Sequence, residues 1–199
     1  MVPSKDVALL VIDMQNGFCK PKGSMGSLGF DVSRCDSAIG QVRKLIDAAH
    51  KADVPVIYTR YVYQADYKDG GILPNVLLPG LKEIGALAEG SWDAAIVDEL
   101  TPIEGDLIID KSRYSAFYGT RLEPLLTSLG TRNLVMCGVT TNMCVETSAR
   151  DASQRDYHTH VIEDACAEVD HQRHLNAIQT ISFGFGWINT IDDVLASWK

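Results

Sequence analysis

The sequence predicts an α/β fold, a three-layer α/β/α arrangement in which a mainly parallel sheet of six strands carries helices on both faces. Three observations lead there. Short runs rich in Val, Ile and Leu recur along the chain, and strands buried on both faces read as such continuous runs. Stretches of helical periodicity fall between them, so strand and helix alternate as in a βαβ series. The 199 residues, 46% hydrophobic and 22% charged, suit one soluble domain (1–199) with a sizeable core.

Val7-Ala-Leu-Leu-Val-Ile12 is the first strand, and it delivers Asp13 at its end. Residues 31 to 52 place Ile39, Val42, Leu45, Ile46 and Ala49 at three- and four-residue spacings, which predicts an amphipathic helix. Val54-Pro-Val-Ile-Tyr58 is the second strand, with Pro55 tolerated near its start. Residues 61 to 92, punctuated by glycines and by Pro74 and Pro79, show no clear period. A connection of that length in a compact domain is usually functional. Asp106-Leu-Ile-Ile-Asp110 is the third strand, followed at once by Lys111, and Leu122 to Leu129 is a helix stopped by Gly130.

The fourth strand, Leu134 to Cys137, ends at Gly138 and gives way to the cap-type residues Thr140, Thr141 and Asn142. A helical pattern then starts around Cys144. Thr159-His-Val-Ile-Glu163 is the fifth strand, His171 to Ser182 a helix, Trp187-Ile-Asn-Thr190 the sixth strand, and Asp192 to Trp198 a closing helix. Periodicity does not set the order of the strands in the sheet.

Function in open α/β sheets gathers at the carboxyl ends of the strands. Asp13, Lys111 and Cys144 emerge there from three different strands. A carboxylate, an ammonium and a thiol are the parts of a base-activated nucleophile. Unpaired N–H groups and the positive end of the helix dipole favour a thiolate at Cys144. Taken singly, Cys144 reads more readily as a small buried hydrophobe, and Asp13 and Lys111 as solvated strand-end charges.

Three blocks carry a resemblance: Val11-Ile-Asp-Met-Gln-Asn16, Lys111-Ser-Arg-Tyr-Ser-Ala-Phe117 and Gly138-Val-Thr-Thr-Asn-Met-Cys-Val145. Together, in this order across nearly the whole chain, they resemble the isochorismatase-like cysteine hydrolases, which have an Asp-Lys-Cys triad. Gly90-Ser-Trp-Asp93, Val97-Asp-Glu-Leu100 and Phe183-Gly-Phe-Gly-Trp187 resemble the ureidoacrylate, biuret and N-carbamoylsarcosine amidohydrolase branch. The resemblance implies a Rossmann-like strand order and a cysteine-dependent amidohydrolase that releases ammonia from a small ureido or carbamoyl compound through a thioester. It also implies a cis peptide at Val139–Thr140 and an oxyanion hole formed by the backbone N–H groups of Thr140 and Cys144. Relatives usually form homodimers or homotetramers with pockets near subunit contacts, and the Phe183-Gly-Phe-Gly stretch is a candidate for such a boundary.

No cofactor is expected. The nicotinamidase branch of the same superfamily carries a metal on an Asp and two histidines after the second strand. Here that stretch, Tyr58-Thr-Arg-Tyr-Val-Tyr-Gln-Ala-Asp66, contains no histidine, so no metal site is expected. His171 and His174, three apart on a helix, lack a third ligand nearby and read as a solvated helix start. Candidate substrate contacts are Gln15 and Asn16, facing a ureido group or capping the loop; Arg60, forking onto a carboxylate or carbonyl or forming a surface ion pair; and Phe18, Trp92 and Tyr114, walling a flat substrate or packing elsewhere.

The formal net charge of −8 argues against nucleic-acid binding and against an anionic membrane surface. No basic n-region with an apolar h-region occurs, and no apolar run approaches the length of a membrane span, so neither secretion nor spanning is expected. The five cysteines are odd in number, without CxxC spacing, which fits a reduced cytoplasmic setting. Two other readings stay open. An isochorismatase-type vinyl-ether hydrolase is disfavoured because the isochorismatases that resemble this chain lack the nucleophilic cysteine. A catalytically silent binding member of the fold is disfavoured by the intact polar set.

Overall fold

A computed structural model describes residues 2–198. Six strands, β1 (Val7–Ile12), β2 (Val56–Tyr61), β3 (Leu107–Lys111), β4 (Asn133–Val139), β5 (His158–Ala167) and β6 (Trp187–Asn189), form one sheet in the order β3-β2-β1-β4-β5-β6. Every neighbouring pair is parallel. The order reverses between β1 and β4, which are adjacent in the sheet, and ligands collect at such a switch point.

Side chains alternate across the sheet with period two. Val7, Leu9 and Val11 of β1 join Val56, Val135, Cys137 and Ile162 in a core beneath the long helix α3 (Ser33–Lys51) and the closing helix α8 (Ile191–Ser197). Ala8, Leu10 and Ile12 face the other way. They pack with Ile57, Ile109 and Met136 against α5 (Leu122–Ser128), α6 (Glu146–Ser153) and α7 (His171–Gly184). Both faces of β1 are dry, which is why its sequence carries no polar alternation. Among the described residues no helix is long and apolar enough to cross a membrane.

Two strands depart most from the sequence expectation. β2 starts at Val56 and runs to Tyr61, two to three residues later than expected, because Pro55 cannot donate a ladder hydrogen bond and its carbonyl instead accepts from Leu9. β5 continues to Ala167, four residues beyond Glu163. Asp164 interrupts its apolar run, yet the Asp164 carboxylate accepts from the Ile191 N–H, and the ladder with β4 resumes after an irregularity between Met136 and Gly138. The carboxyl edge of the sheet is therefore reached further along the chain than the pattern suggested.

Within the 61–92 connection lie a π-helical turn, Leu73–Leu77, and one short turn, α4 (Gly80–Glu83). Two further short turns, α1 (Asn16–Cys19) and α2 (Ser24–Ser27), follow β1. Gly138, the last but one residue of β4, has φ +117, and an added Cβ there would clash with the Ile12 carbonyl oxygen. Only glycine lets the strand leading to Cys144 lie this close to the strand leading to Asp13.

Candidate active site

Asp13 follows β1 directly, with φ +52, a left-handed conformation that aspartate tolerates better than most residues. Its N–H reaches back to the Thr59 carbonyl at 3.2 Å, and the Thr59 hydroxyl donates to its Oδ1 at 2.6 Å. Lys111 ends β3, two strands away. Its Nζ donates to Asp13 Oδ2 at 2.6 Å, to the Arg113 carbonyl at 3.1 Å and to Cys144 Sγ at 3.5 Å. The same ammonium sits 4.5 Å over the centre of the Tyr61 ring. All three donor sites of the lysine are thus occupied, and its side chain is wholly shielded from solvent.

Cys144 lies within a π-wound turn, Thr141–Val145, that leads into α6. The turn begins three residues before the thiol, earlier than the expected start around Cys144. Ser148, one turn on, donates to the Cys144 carbonyl at 2.6 Å and fixes this first turn. The Val139–Thr140 peptide is cis. Three far-apart side chains therefore meet, and all three are buried: Asp13 0%, Lys111 4% and Cys144 3% exposed.

Burial alone would lower the Lys111 pKa, but the Asp13 carboxylate and the Cys144 sulfur hold the ammonium above its ordinary range. For Cys144 the expectation of a resting thiolate is corrected. Burial pushes its thiol up, Lys111 pulls it down, and the Asp13 carboxylate, a hydrogen-bond partner, pushes it up again; the net direction is upward. The dipole of one short helical turn does not outweigh desolvation beside a carboxylate. Alkylation of Cys144 by iodoacetamide, followed by peptide mapping, should be slow at neutral pH and still climbing past pH 9. A rate that levels off below about pH 8, as for a depressed thiol, would contradict this electrostatic assignment.

The thiol opens into a cavity of about 470 Å³ bordered by Phe18, Tyr61, Tyr114, Thr140 and Asn142. Phe18 and Tyr114 each pack edge-on to Tyr61. The outer wall is apolar, built from Met25 and Phe30 on one side and Leu73, Leu78 and Leu81 of the long connection on the other. A loop this rich in leucine was a legible sign of a binding wall, since solvent-facing loops are usually polar.

Four expected substrate contacts fall elsewhere. Gln15 is fully buried, and its amide is spent on the protein: Nε2 donates to the carbonyls of Tyr61 and Ala94 at 2.9 and 2.8 Å, and Oε1 accepts from the Tyr61 N–H at 2.6 Å. Asn16 donates to the Trp92 carbonyl at 2.9 Å and so ties the loop after β1 to the 61–92 connection. The Trp92 side chain is 53% exposed and does not border the cavity. Arg60 forks onto Asp110, both contacts 2.7 Å, because β2 and β3 place these residues directly opposite. Glu168, Val169 and Arg173, which the sequence reading missed, border the cavity just beyond the true end of β5. His174 pairs with the Thr141 hydroxyl at 2.9 Å.

The Isochorismatase domain model matches residues 7–193. A ureidoacrylate amidohydrolase RutB of Agrobacterium fabrum is 36% identical over 200 residues, covering 94% of this chain and 88% of that protein. Its counterpart from Azorhizobium caulinodans is 34% identical, covering 96% and 90%. Among solved structures, a cysteine hydrolase from Pseudomonas syringae pv. phaseolicola superposes with a TM-score of 0.90 at 30% identity, over 98% of this chain and 93% of that one. An N-carbamoylsarcosine amidase from Thermoplasma acidophilum gives 0.75 at 27%, over 94% and 96%.

Proposed function

The chain belongs to the isochorismatase family, and from that premise we propose that it is a cysteine-dependent amidohydrolase cleaving a C–N bond of a small ureido or carbamoyl compound with release of ammonia. The observation that carries this reading is the buried contact of Lys111 Nζ with both Asp13 Oδ2 (2.6 Å) and Cys144 Sγ (3.5 Å), with Cys144 bordering the cavity. The ureidoacrylate amidohydrolases and the N-carbamoylsarcosine amidase named above act on compounds of this class, which supports the choice of substrate.

In this mechanism Asp13 takes the thiol proton as Sγ attacks the carbonyl carbon. A raised thiol makes transfer to the adjacent base part of the attacking step rather than a prior equilibrium. Lys111 steadies the charge on both partners. The oxyanion is held by the N–H groups of Thr140 and Cys144, where losing one such donor typically raises the barrier by about 3 kcal/mol. Asp13 then gives its proton to the departing nitrogen, ammonia leaves, and a thioester remains on Cys144. Water, deprotonated by Asp13, hydrolyses it and regenerates the thiol. The apolar wall and the buried triad keep other water away, which strengthens each electrostatic contact inside.

A panel of ureido, carbamoyl and carboxamide compounds, assayed for ammonia, tests the reading. At least one ureido or carbamoyl member should be turned over. Pyruvate formed from isochorismate, with no ammonia from any panel member, would replace the proposal with vinyl-ether hydrolysis.

A further inference from the structure

Two oxygens at this cavity have no hydrogen-bond partner among the described residues. Glu168 is 3% exposed; its Oε1 accepts from the Val169 N–H at 3.0 Å, but Oε2 is buried and makes no hydrogen bond. Oδ1 of Asn142, two residues before the nucleophile, is likewise buried and unmet. Both residues border the cavity into which Cys144 opens. Such groups are expensive to leave unsatisfied, and in native proteins each one asks for an explanation.

A carboxylate oxygen is an acceptor only, so what completes it must donate. Burial holds the Glu168 carboxyl above its ordinary range, while the Thr140 hydroxyl, the N–H groups of Val169 and Asn142 and the charge of Arg173 pull it back. None of these supplies a hydrogen bond to Oε2. Glu168 also forms the wall between this cavity and a shallower depression lined by Arg34, His171 and His174, and that side brings no hydrogen bond to Oε2 either.

We propose that Glu168 and Asn142 set the specificity of the site: their unmet oxygens accept the N–H groups flanking the carbonyl under attack. The preferred substrate is then a monosubstituted urea, R–NH–CO–NH2, rather than the carbamate ester R–O–CO–NH2 of the same shape. This rests on the amidohydrolase reading and adds to it the groups that recognise the nitrogen. A carbamate would set a lone pair of its ester oxygen against the Glu168 carboxylate and leave that charge unpaired. Sites built to pair a substrate N–H reject the analogue lacking it far more strongly than apolar pockets reject a missing methylene. The R group runs toward Met25, Leu73 and Leu81.

The test uses N-butylurea and butyl carbamate, whose butyl group suits the apolar wall, with calorimetric binding to the Cys144→Ala protein. The urea should bind about 10-fold or more tightly, the range expected for a hydrogen bond to a charged group. Glu168→Gln, added to that protein, should bring the ratio close to one. Asn142→Ala should reduce it in part, and carries the test alone if the Glu168 variant does not fold. Equal affinities in the Cys144→Ala protein, no affinity for either compound, or a preference that survives the substitutions overturns the inference. Ammonia release by the unsubstituted enzyme is scored separately. Release from either compound, alongside equal binding, leaves the amidohydrolase reading standing and removes only this assignment; release from neither compound nor any panel member removes the reading itself.

Discussion

Cys144→Ala should abolish ammonia release while leaving the fold and ligand binding in place. The side chain is 3% exposed and its sulfur receives one long contact, from Lys111 at 3.5 Å. Removing it leaves a small gap and no stranded charge, because Lys111 keeps the Asp13 carboxylate and the Arg113 carbonyl as acceptors. A modest fall in stability is expected, together with a loss of kcat of about 10⁴-fold or more, the scale seen when the nucleophile of a triad is deleted and only binding and the oxyanion hole remain. Steady-state ammonia release, read beside a thermal melt, checks both halves. Activity within about 10-fold of the unsubstituted enzyme, from a well-folded variant, would mean that sulfur is not the attacking atom.

Lys111→Met should strike stability and catalysis together. It takes the ammonium away from the fully buried Asp13 carboxylate, which keeps the Thr59 hydroxyl and the Cys144 thiol as side-chain partners. Removing one member of a buried ion pair typically costs about 3–5 kcal/mol, since the other charge stays desolvated and unpaired. For a chain of this size that corresponds to a fall in Tm on the order of 10 °C. Adding Asp13→Asn removes the stranded charge, so the double variant should regain much of the lost stability and none of the activity. That separation is the useful part. Loss of turnover through misfolding would recover with stability, whereas loss of the proton acceptor and its cationic neighbour would not. A Lys111→Met protein melting within about 2 °C of the original would show that the pair contributes little to the fold.

The parts legible in the sequence are those where local pattern and global packing coincide. β1 and β4 are buried on both faces, so their apolar runs marked them at once, and Asp13 was found at the end of the first run and Cys144 at the helix start that follows the second. The misplaced contacts share a different origin. Arg60 reads as a substrate fork only while strand order is open; once β2 lies beside β3, Asp110 is its opposite number and takes the guanidinium. Gln15 was a plausible ligand until the end of β2 and the Ala94 carbonyl were brought to it by the same topology. Glu168 was overlooked because Glu163 and Asp164 look like a strand end. In the fold, β5 carries four more residues past Glu163 before its edge is reached. Periodicity reports which side of an element is buried, not which other element buries it. Each error is a long-range pairing that no window of sequence contains.

The thiol itself shows the same limit. A helix start and a nearby ammonium argued for a thiolate, and both features are present. Desolvation of a wholly buried sulfur next to a carboxylate opposes them and decides the direction. For the proposed mechanism the consequence is that Asp13 would act during attack, and slow alkylation of the thiol at neutral pH is the expected sign of it.

The most direct measurement is intact-protein mass spectrometry of the enzyme quenched in acid during turnover of a ureido or carbamoyl substrate, followed by peptide mapping. A covalent adduct with the mass of the substrate less ammonia, located on Cys144 and missing from Cys144→Ala, is the predicted result. Turnover that proceeds with no adduct under quenching fast enough to catch the chemical step, or an adduct on any other residue, would contradict a sulfur nucleophile served by Asp13 and Lys111.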